Sequence, residues 1–265
     1  MIPPGSRYVA LGSSFAAGPG ISPIVHPPAG RSGRNYAHLV AAELRLELTD
    51  VTYSGATTAH LLDTRQDDAA PQIDAVTPES ALVTITVGGN DLDYIGTFIR
   101  GSFLNTLARP ASILGRRVAN RIRARVSYLK DDAEYQAVTD ALVAVVERVR
   151  ERSPDARVLL VDYLTLVGPS TRPRLDVPLN EEQLPSVALM ADGLAASFAK
   201  AAAATGADLI TASAASRDHA IGSPEPWTTG FTLRPPGVLG GFVPYHPNAA
   251  GMRAVADLIV HTLRT

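Results

Sequence analysis

The sequence contains no cysteine among its 265 residues. This absence excludes structural disulfides, thiolate nucleophiles and metal sites built on sulfur ligands. An excess of charge of one sign is also missing, because 24 Lys and Arg residues oppose 26 Asp and Glu residues and leave a formal net charge of −2. Such a balanced chain has no global attraction for nucleic acid, so we expect no nucleic-acid partner.

Long hydrophobic runs are missing as well. No window reaches the roughly 18 consecutive apolar residues that suggest a membrane-spanning helix. The first residues, up to Ser14, lack a charged segment followed by an apolar stretch and a small-residue cleavage site. The sequence therefore favours a soluble cytoplasmic protein, although a secreted protein whose signal peptide has been removed would begin in the same way. Hydrophobic residues still make up 46% of the chain, enough for a large core.

Short apolar runs alternate with longer helical patterns along the chain. Strands are predicted at 8–11, 51–53, 81–87, 158–162 and, more weakly, 208–210. Amphipathic helices are predicted to begin at Asn35, Tyr135, Glu181 and Asn248. This alternation is typical of βαβ units, so we predict an α/β fold with a central, mostly parallel sheet and helices on both faces. No linker-like stretch divides the chain, and residues 1–265 are expected to form a single domain.

Two segments interrupt this alternation. Residues 95–130 carry seven arginines and a stripe of apolar residues at helical spacing. A solvated helix face is the simpler interpretation of this segment, and the alternative is a lid insertion that transiently contacts a lipid interface. Residues 223–245 are rich in Pro and Gly and contain Trp227, the only tryptophan, so we expect a site-forming loop with an apolar wall.

Glycines and polar residues follow the predicted strands. Ser14 comes after the first strand, Gly55 after the second and Asn90 after the third. His246 stands just before the last predicted helix. Open parallel sheets bind ligands at the carboxyl ends of their strands. We therefore expect a nucleophile, a base and hydrogen-bond donors at this edge, which is what acyl transfer needs.

Four short blocks of the sequence resemble those of the GDSL, or SGNH, hydrolases. The blocks are Gly12-Ser13-Ser14-Phe15, Tyr53-Ser54-Gly55, Gly88-Gly89-Asn90-Asp91 and His246-Pro247-Asn248-Ala249-Ala250-Gly251. They occur in the family's order and span nearly the whole chain. The resemblance implies a flavodoxin-like SGNH-hydrolase fold and a serine esterase or lipase that acts on small-molecule or lipid esters.

The resemblance also implies a role for each block. Ser14 would be the nucleophile, and His246 would be the general base that takes its proton. The backbone N–H groups of Ser14 and Gly55, together with the side-chain amide of Asn90, would form the oxyanion hole.

The chain departs from the family pattern at two positions. Ser13 replaces the usual aspartate beside the nucleophile, and Val243 stands where the triad carboxylate usually lies, three residues before His246. Some relatives with the second departure use a backbone carbonyl instead. We therefore expect a dyad in which the Val243 carbonyl accepts the imidazole Nδ1 proton, with Asp91 and Asp93 as alternatives.

Other functions remain open at this point. Within the family, a carbohydrate deacetylase or a phospholipase would carry the same blocks. Outside the enzyme class, the scaffold would serve a non-catalytic binding module. The G-x-S-x-G motif of α/β-hydrolases fails at Ala16, and no G-x-x-x-x-G-K-[ST], G-x-G-x-x-G or H-E-x-x-H motif is present. We therefore expect neither a cofactor nor a metal.

Overall fold

The fold is taken from a computed structural model that describes residues 2–111, 126–232 and 243–265, without the side chains of 109–111. The strands of its main sheet are β1 (Arg7–Gly12), β4 (Glu47–Asp50), β5 (Ser80–Thr86), β6 (Arg157–Val161) and β7 (Asp208–Ile210). All of them pair in parallel, in the order β4-β1-β5-β6-β7. A separate antiparallel hairpin joins β2 (Ile24–His26) to β3 (Arg31–Ser32).

Helices cover both faces of this sheet, which confirms the predicted architecture. They are α1 (Ser14–Ala17), α2 (Tyr36–Leu44), α3 (Thr58–Leu62), α4 (Tyr94–Ala111), α5 (Asp132–Arg152), α6 (Gln183–Thr205), α7 (Ala212–Ala215) and α8 (Ala249–Arg264). α2 packs against α8, whereas α5 packs against both α3 and α6. Right-handed crossovers explain why the helices form two groups, one on each face of the sheet. The chain leaves β1 towards one edge of the sheet and later proceeds from β5 towards the other edge.

The central strands are buried along their length rather than on alternate residues. Tyr8, Val9, Ala10 and Leu11 of β1 are all inaccessible or nearly so. Parallel strands with helices on both faces are buried at consecutive residues, because each face of the strand packs against a layer of helices.

α6 is the described helix that is long and apolar enough, by length and composition, to cross a membrane. Its side chains Leu184, Val187, Met190 and Leu194 are buried, and the helix packs against α5, β6 and β7. The core helix of a globular domain has the same composition, so its packing accounts for its apolar character.

The predicted strand at 51–53 was wrong, because the second strand of the sheet is Glu47–Asp50. This strand lies at the edge of the sheet and its side chains are exposed or half-buried, so it contains no apolar run. The following segment still contacts β1, since the Tyr53 N–H donates to the Gly12 carbonyl over 2.9 Å. The β2–β3 hairpin was not predicted either, because Pro and Gly dominate its surroundings.

The order in which the chain adds strands to the parallel sheet reverses between β1 and β5. From β1 the chain runs outward to β4, and from β5 it runs outward to β6 and β7. Ligands of open α/β sheets bind at the carboxyl ends of the strands on either side of such a switch point. Ser14 begins α1 directly after β1, and Asn90 follows β5 in the next loop.

The end of β1 is held by a buried side-chain amide. Gln72 accepts a hydrogen bond from the Gly12 N–H over 2.7 Å and donates its Nε2 to the Gly12 carbonyl over 3.0 Å. Gly12 itself has no room for a side chain, because a Cβ would lie 2.5 Å from the Thr86 carbonyl oxygen. The amide of Gln72 thus fixes the backbone that leads into Ser14.

Replacing this amide should destabilise the fold. Gln72→Leu leaves the buried Gly12 N–H without an acceptor, and we expect the free energy of unfolding to fall by about 1–3 kcal/mol. Urea denaturation of the parent protein and of Gln72→Leu would measure this difference in the free energy of unfolding. Gln136→Leu on the exposed face of α5 is the control and should stay within about 0.5 kcal/mol of the parent. Equal stability of the parent and Gln72→Leu would contradict the assigned role.

Candidate active site

Ser14 is the first residue of α1 and is 7% exposed. Its Oγ lies 2.8 Å from Nε2 of His246. The two residues come from opposite ends of the chain, one following β1 and the other preceding α8. The structure therefore brings together the two side chains that the sequence singled out as nucleophile and base.

His246 lies in a short loop that is tied to the start of α8. Its Nδ1 is 2.7 Å from the Pro244 carbonyl oxygen. A carbonyl only accepts hydrogen bonds, so Nδ1 carries the imidazole proton. Nε2 is therefore left with its lone pair, which accepts the hydroxyl proton of Ser14.

The expected contact from Val243 was wrong. The Val243 carbonyl accepts the Thr229 hydroxyl over 2.6 Å, and the Pro244 carbonyl contacts His246 instead. The reason lies in Tyr245, whose φ of +60° is in the left-handed region. This turn directs the carbonyl two residues before His246, rather than three, towards its ring.

Tyr245 is held in this conformation by its side chain. It is fully buried, its hydroxyl is 2.5 Å from Ser102 Oγ, and its ring is 4.7 Å from that of Phe98. A left-handed conformation costs a non-glycine residue about 1–2 kcal/mol. Contacts with α4, which carries both Ser102 and Phe98, offset that cost and keep the Pro244 carbonyl in place.

Burial controls the charge of His246. Desolvation lowers its pKa from the ordinary value of 6.5 to about 4, and the hydrogen bond to the Pro244 carbonyl only partly opposes the shift. The imidazole is therefore neutral at physiological pH, the form in which it can accept a proton.

Gly55 and Asn90 meet at the same edge of the sheet. Asn90 Nδ2 donates to the carbonyl of Ala56, the residue after Gly55, over 2.8 Å. Within the described residues, the N–H groups of Ser14 and Gly55 have no protein acceptor. Gly55 has a φ of +84°, a conformation that other residues rarely adopt. Within the described residues, these two N–H groups are thus left unpaired.

The nearby carboxylates are engaged elsewhere. Asp91 accepts hydrogen bonds from the Thr58 backbone and hydroxyl at the start of α3. Asp93 pairs with Arg100. Asp162 follows β6, but its carboxylate accepts from Ser213, and burial raises its pKa to about 6.

None of the histidines and carboxylates that the structure describes form a group of three or more that could hold a metal ion. The described site places an imidazole beside a serine hydroxyl.

Comparison with known proteins assigns the family. The model of the GDSL-like Lipase/Acylhydrolase family matches residues 10–254. The chain belongs to this family. Membership confirms the predicted class of enzyme, a carboxylic ester hydrolase.

Relatives from Streptomyces support the assignment. The chain is 33% identical to Lipase 2 of Streptomyces coelicolor, over 97% of this chain and 84% of the relative. It also matches the solved extracellular lipase of Streptomyces rimosus, with 26% identity, 98% and 100% coverage and a TM-score of 0.71. Phospholipase A1 of Streptomyces albidoflavus shares the fold at 23% identity, with the same coverage and TM-score. The predicted SGNH-hydrolase fold is thereby confirmed.

Several residues that support the site were not identified from the sequence. One irregular turn contains Pro244 and Tyr245 and is hydrogen-bonded to Thr229. No local sequence pattern predicts the left-handed conformation of Tyr245 in this turn. Tyr163, whose hydroxyl accepts the Gly89 N–H beside Asn90, is different because it stands just after β6, at the sheet edge where the other site residues were sought. That position was the one available signal.

The pKa of His246 predicts an unusual pH profile. With a pKa of about 4, the imidazole stays neutral on acidification, so kcat/KM should fall with a midpoint near pH 4. A histidine with its ordinary pKa of 6.5 would give a midpoint two or more pH units higher.

The measurement is kcat/KM for a neutral ester from pH 3.5 to 8, with circular dichroism at each pH. The lowered pKa also means that the unfolded state binds a proton more readily, so stability falls as the pH decreases from 6.5 towards 4. Only pH values at which the protein stays folded count. A midpoint near 6.5 in folded protein would contradict the buried neutral imidazole.

Proposed function

We propose that this protein hydrolyses carboxylic esters through a Ser14–His246 dyad. The observation that carries the proposal is the 2.8 Å hydrogen bond between Ser14 Oγ and His246 Nε2, with Nδ1 held by a backbone carbonyl. This is the arrangement of a nucleophile and its general base, with a third group that orients the base.

The reaction follows from this geometry. Ser14 Oγ attacks the ester carbonyl carbon while its proton passes to His246 Nε2. The tetrahedral intermediate collapses as the protonated imidazole gives that proton to the leaving alcohol, which leaves an acyl group on Ser14. Water then attacks the acyl-enzyme and loses a proton to His246. When the second intermediate collapses, the imidazolium returns this proton to Ser14 Oγ, which releases the acid and the free serine hydroxyl.

The oxyanion of each tetrahedral intermediate needs donors. The N–H groups of Ser14 and Gly55 have no acceptor among the described residues, and Asn90 Nδ2 uses one of its two N–H bonds on the Ala56 carbonyl. We assign these three donors to the oxyanion hole. The bond to Ala56 also keeps the Gly55 loop beside Asn90.

The substrate is proposed to be an ester with an apolar acyl group. Phe103 and Leu107 lie four residues apart on α4 and are about half exposed, so this helix presents apolar side chains to solvent. We keep the proposed lipid contact and lid for 95–130, of which 112–125, including Arg116, Arg117 and Arg121, lie outside the described residues. The expected apolar loop at 223–245 is described only in part, because 233–242 are not described.

The domain organisation and location are also proposals. The family match spans 10–254 and the dyad needs both ends of this range, which supports one hydrolase domain over 1–265. The expected cytoplasmic location is not supported, because the similar Streptomyces rimosus lipase is extracellular. We propose that this protein is secreted.

Removing the nucleophile should abolish turnover without unfolding the protein. Ser14→Ala should lower kcat for p-nitrophenyl esters at least about 1000-fold, because no other group takes over the attack. Esters from acetate to palmitate would define the acyl preference of the parent in the same assay.

A matched control separates chemistry from stability. Ser153→Ala removes another buried hydroxyl, at the opposite edge of the sheet, where its Oγ donates to the Ser80 carbonyl. This variant should lower the melting temperature and leave kcat near that of the parent. Substantial esterase activity in a folded Ser14→Ala protein would end the assignment.

The oxyanion role of Asn90 predicts a specific kinetic change. Asn90→Ala should lower kcat by about 100-fold to 1000-fold with little effect on KM, because the donor acts as negative charge develops in the transition state. Steady-state kinetics on p-nitrophenyl butyrate would measure both constants. A change confined to KM would instead assign Asn90 to ground-state binding.

A further inference from the structure

Tyr163 lies between the two turns that carry the site. It follows β6, next to β5 in the sheet, and is 6% exposed. Its hydroxyl accepts the Gly89 N–H over 3.0 Å and is 3.1 Å from Ser13 Oγ. Ser13 immediately precedes Ser14, and Gly89 immediately precedes Asn90. One phenolic oxygen therefore joins the turn of the nucleophile to the turn of the oxyanion donor.

The hydroxyl suits this double role because it stays protonated. Burial raises the pKa of Tyr163 to about 12, so the group both accepts and donates at any working pH. Besides accepting the Gly89 N–H, the phenol group shares a second hydrogen bond with the Ser13 hydroxyl, in which either group is able to donate. The Ser13 N–H donates to the Thr86 carbonyl at the end of β5, but Ser13 makes no direct hydrogen bond to Gly89 among the described residues. Tyr163 therefore adds the link that reaches Gly89 itself.

Packing leaves the ring little freedom. The Tyr163 ring lies 4.6 Å from that of Phe15, which in turn lies 5.5 Å from the His246 ring. On its other side, a Cβ added to Gly89 would lie only 2.8 Å from the Tyr163 ring. The glycine at 89 thus allows the close approach on which the hydrogen bond depends.

We propose that Tyr163 is a positioning residue that fixes the Ser14 turn relative to the Asn90 turn. This inference rests on the proposed function, because it matters only if attack by Ser14 and stabilisation by Asn90 act on the same ester carbonyl. Catalytic groups must keep their relative positions to within a fraction of an ångström to remain effective. Ser13 takes part as the partner through which the tyrosine holds the nucleophile turn.

Tyr163→Phe tests the inference, with Tyr94→Phe as a matched control. Tyr94 is buried, its ring lies 6.2 Å from that of Tyr163, and its hydroxyl has no partner within the described residues. Both variants lose one buried phenolic oxygen and keep the ring. Only Tyr163→Phe breaks a link between the two turns.

The expected result is a loss of kcat of roughly 10-fold to 100-fold in Tyr163→Phe, with KM within about twofold of the parent. Tyr94→Phe should keep both constants within about twofold, because its hydroxyl makes no hydrogen bond to lose. A folded Tyr163→Phe with the kcat of the parent, or an equal loss in Tyr94→Phe, would overturn the inference.

Ser13→Ala is the third variant, and it tests the inference on its own if Tyr163→Phe does not fold. It removes one of the two links, so we expect a smaller loss of kcat, and the double variant should be no slower than Tyr163→Phe alone. Additive losses, or a Ser13→Ala enzyme as fast as the parent, would contradict the model. Ser14→Ala in parallel separates the two ideas, because its activity tests the proposed function whatever Tyr163→Phe does.

Discussion

The hydrogen bond between Ser14 Oγ and His246 Nε2 joins residues 232 positions apart. Its 2.8 Å length requires that the first strand and the last helix keep their relative positions. The buried β1 strand, the pairing of α2 with α8 and the amide of Gln72 at Gly12 all serve this requirement. The proposed oxyanion donors follow from the same sheet, because parallel neighbouring strands end at one edge.

In the proposed dyad, a carbonyl takes the place of a carboxylate. The Pro244 oxygen selects the tautomer of His246, as an aspartate would, but it carries only a partial charge to stabilise the imidazolium. No carboxylate among the described residues contributes to the pKa of His246, so desolvation dominates and holds this pKa low. The protonated intermediate is therefore less favoured than in a triad, whereas the free base persists at lower pH.

Much of this arrangement was predictable, and the remainder depends on non-local contacts. Ser14, Asn90 and His246 were predicted because functional residues lie at the strand ends of parallel sheets and because four blocks resemble those of a family. The carbonyl that accepts the Nδ1 proton of His246 was misplaced by one residue, since the left-handed φ of Tyr245 depends on its contacts with α4. β4 was misplaced because an edge strand lacks a buried apolar run.

The central claim is that Ser14 is the nucleophile activated by His246. Reaction with an alkyl p-nitrophenyl phosphonate, followed by peptide mass mapping and fragmentation, tests it most directly, because the adduct marks the attacking oxygen. The account predicts one adduct per chain, on Ser14 and not on Ser13, and much slower labelling in His246→Ala. An adduct on another residue, or equally fast labelling without His246, would contradict it.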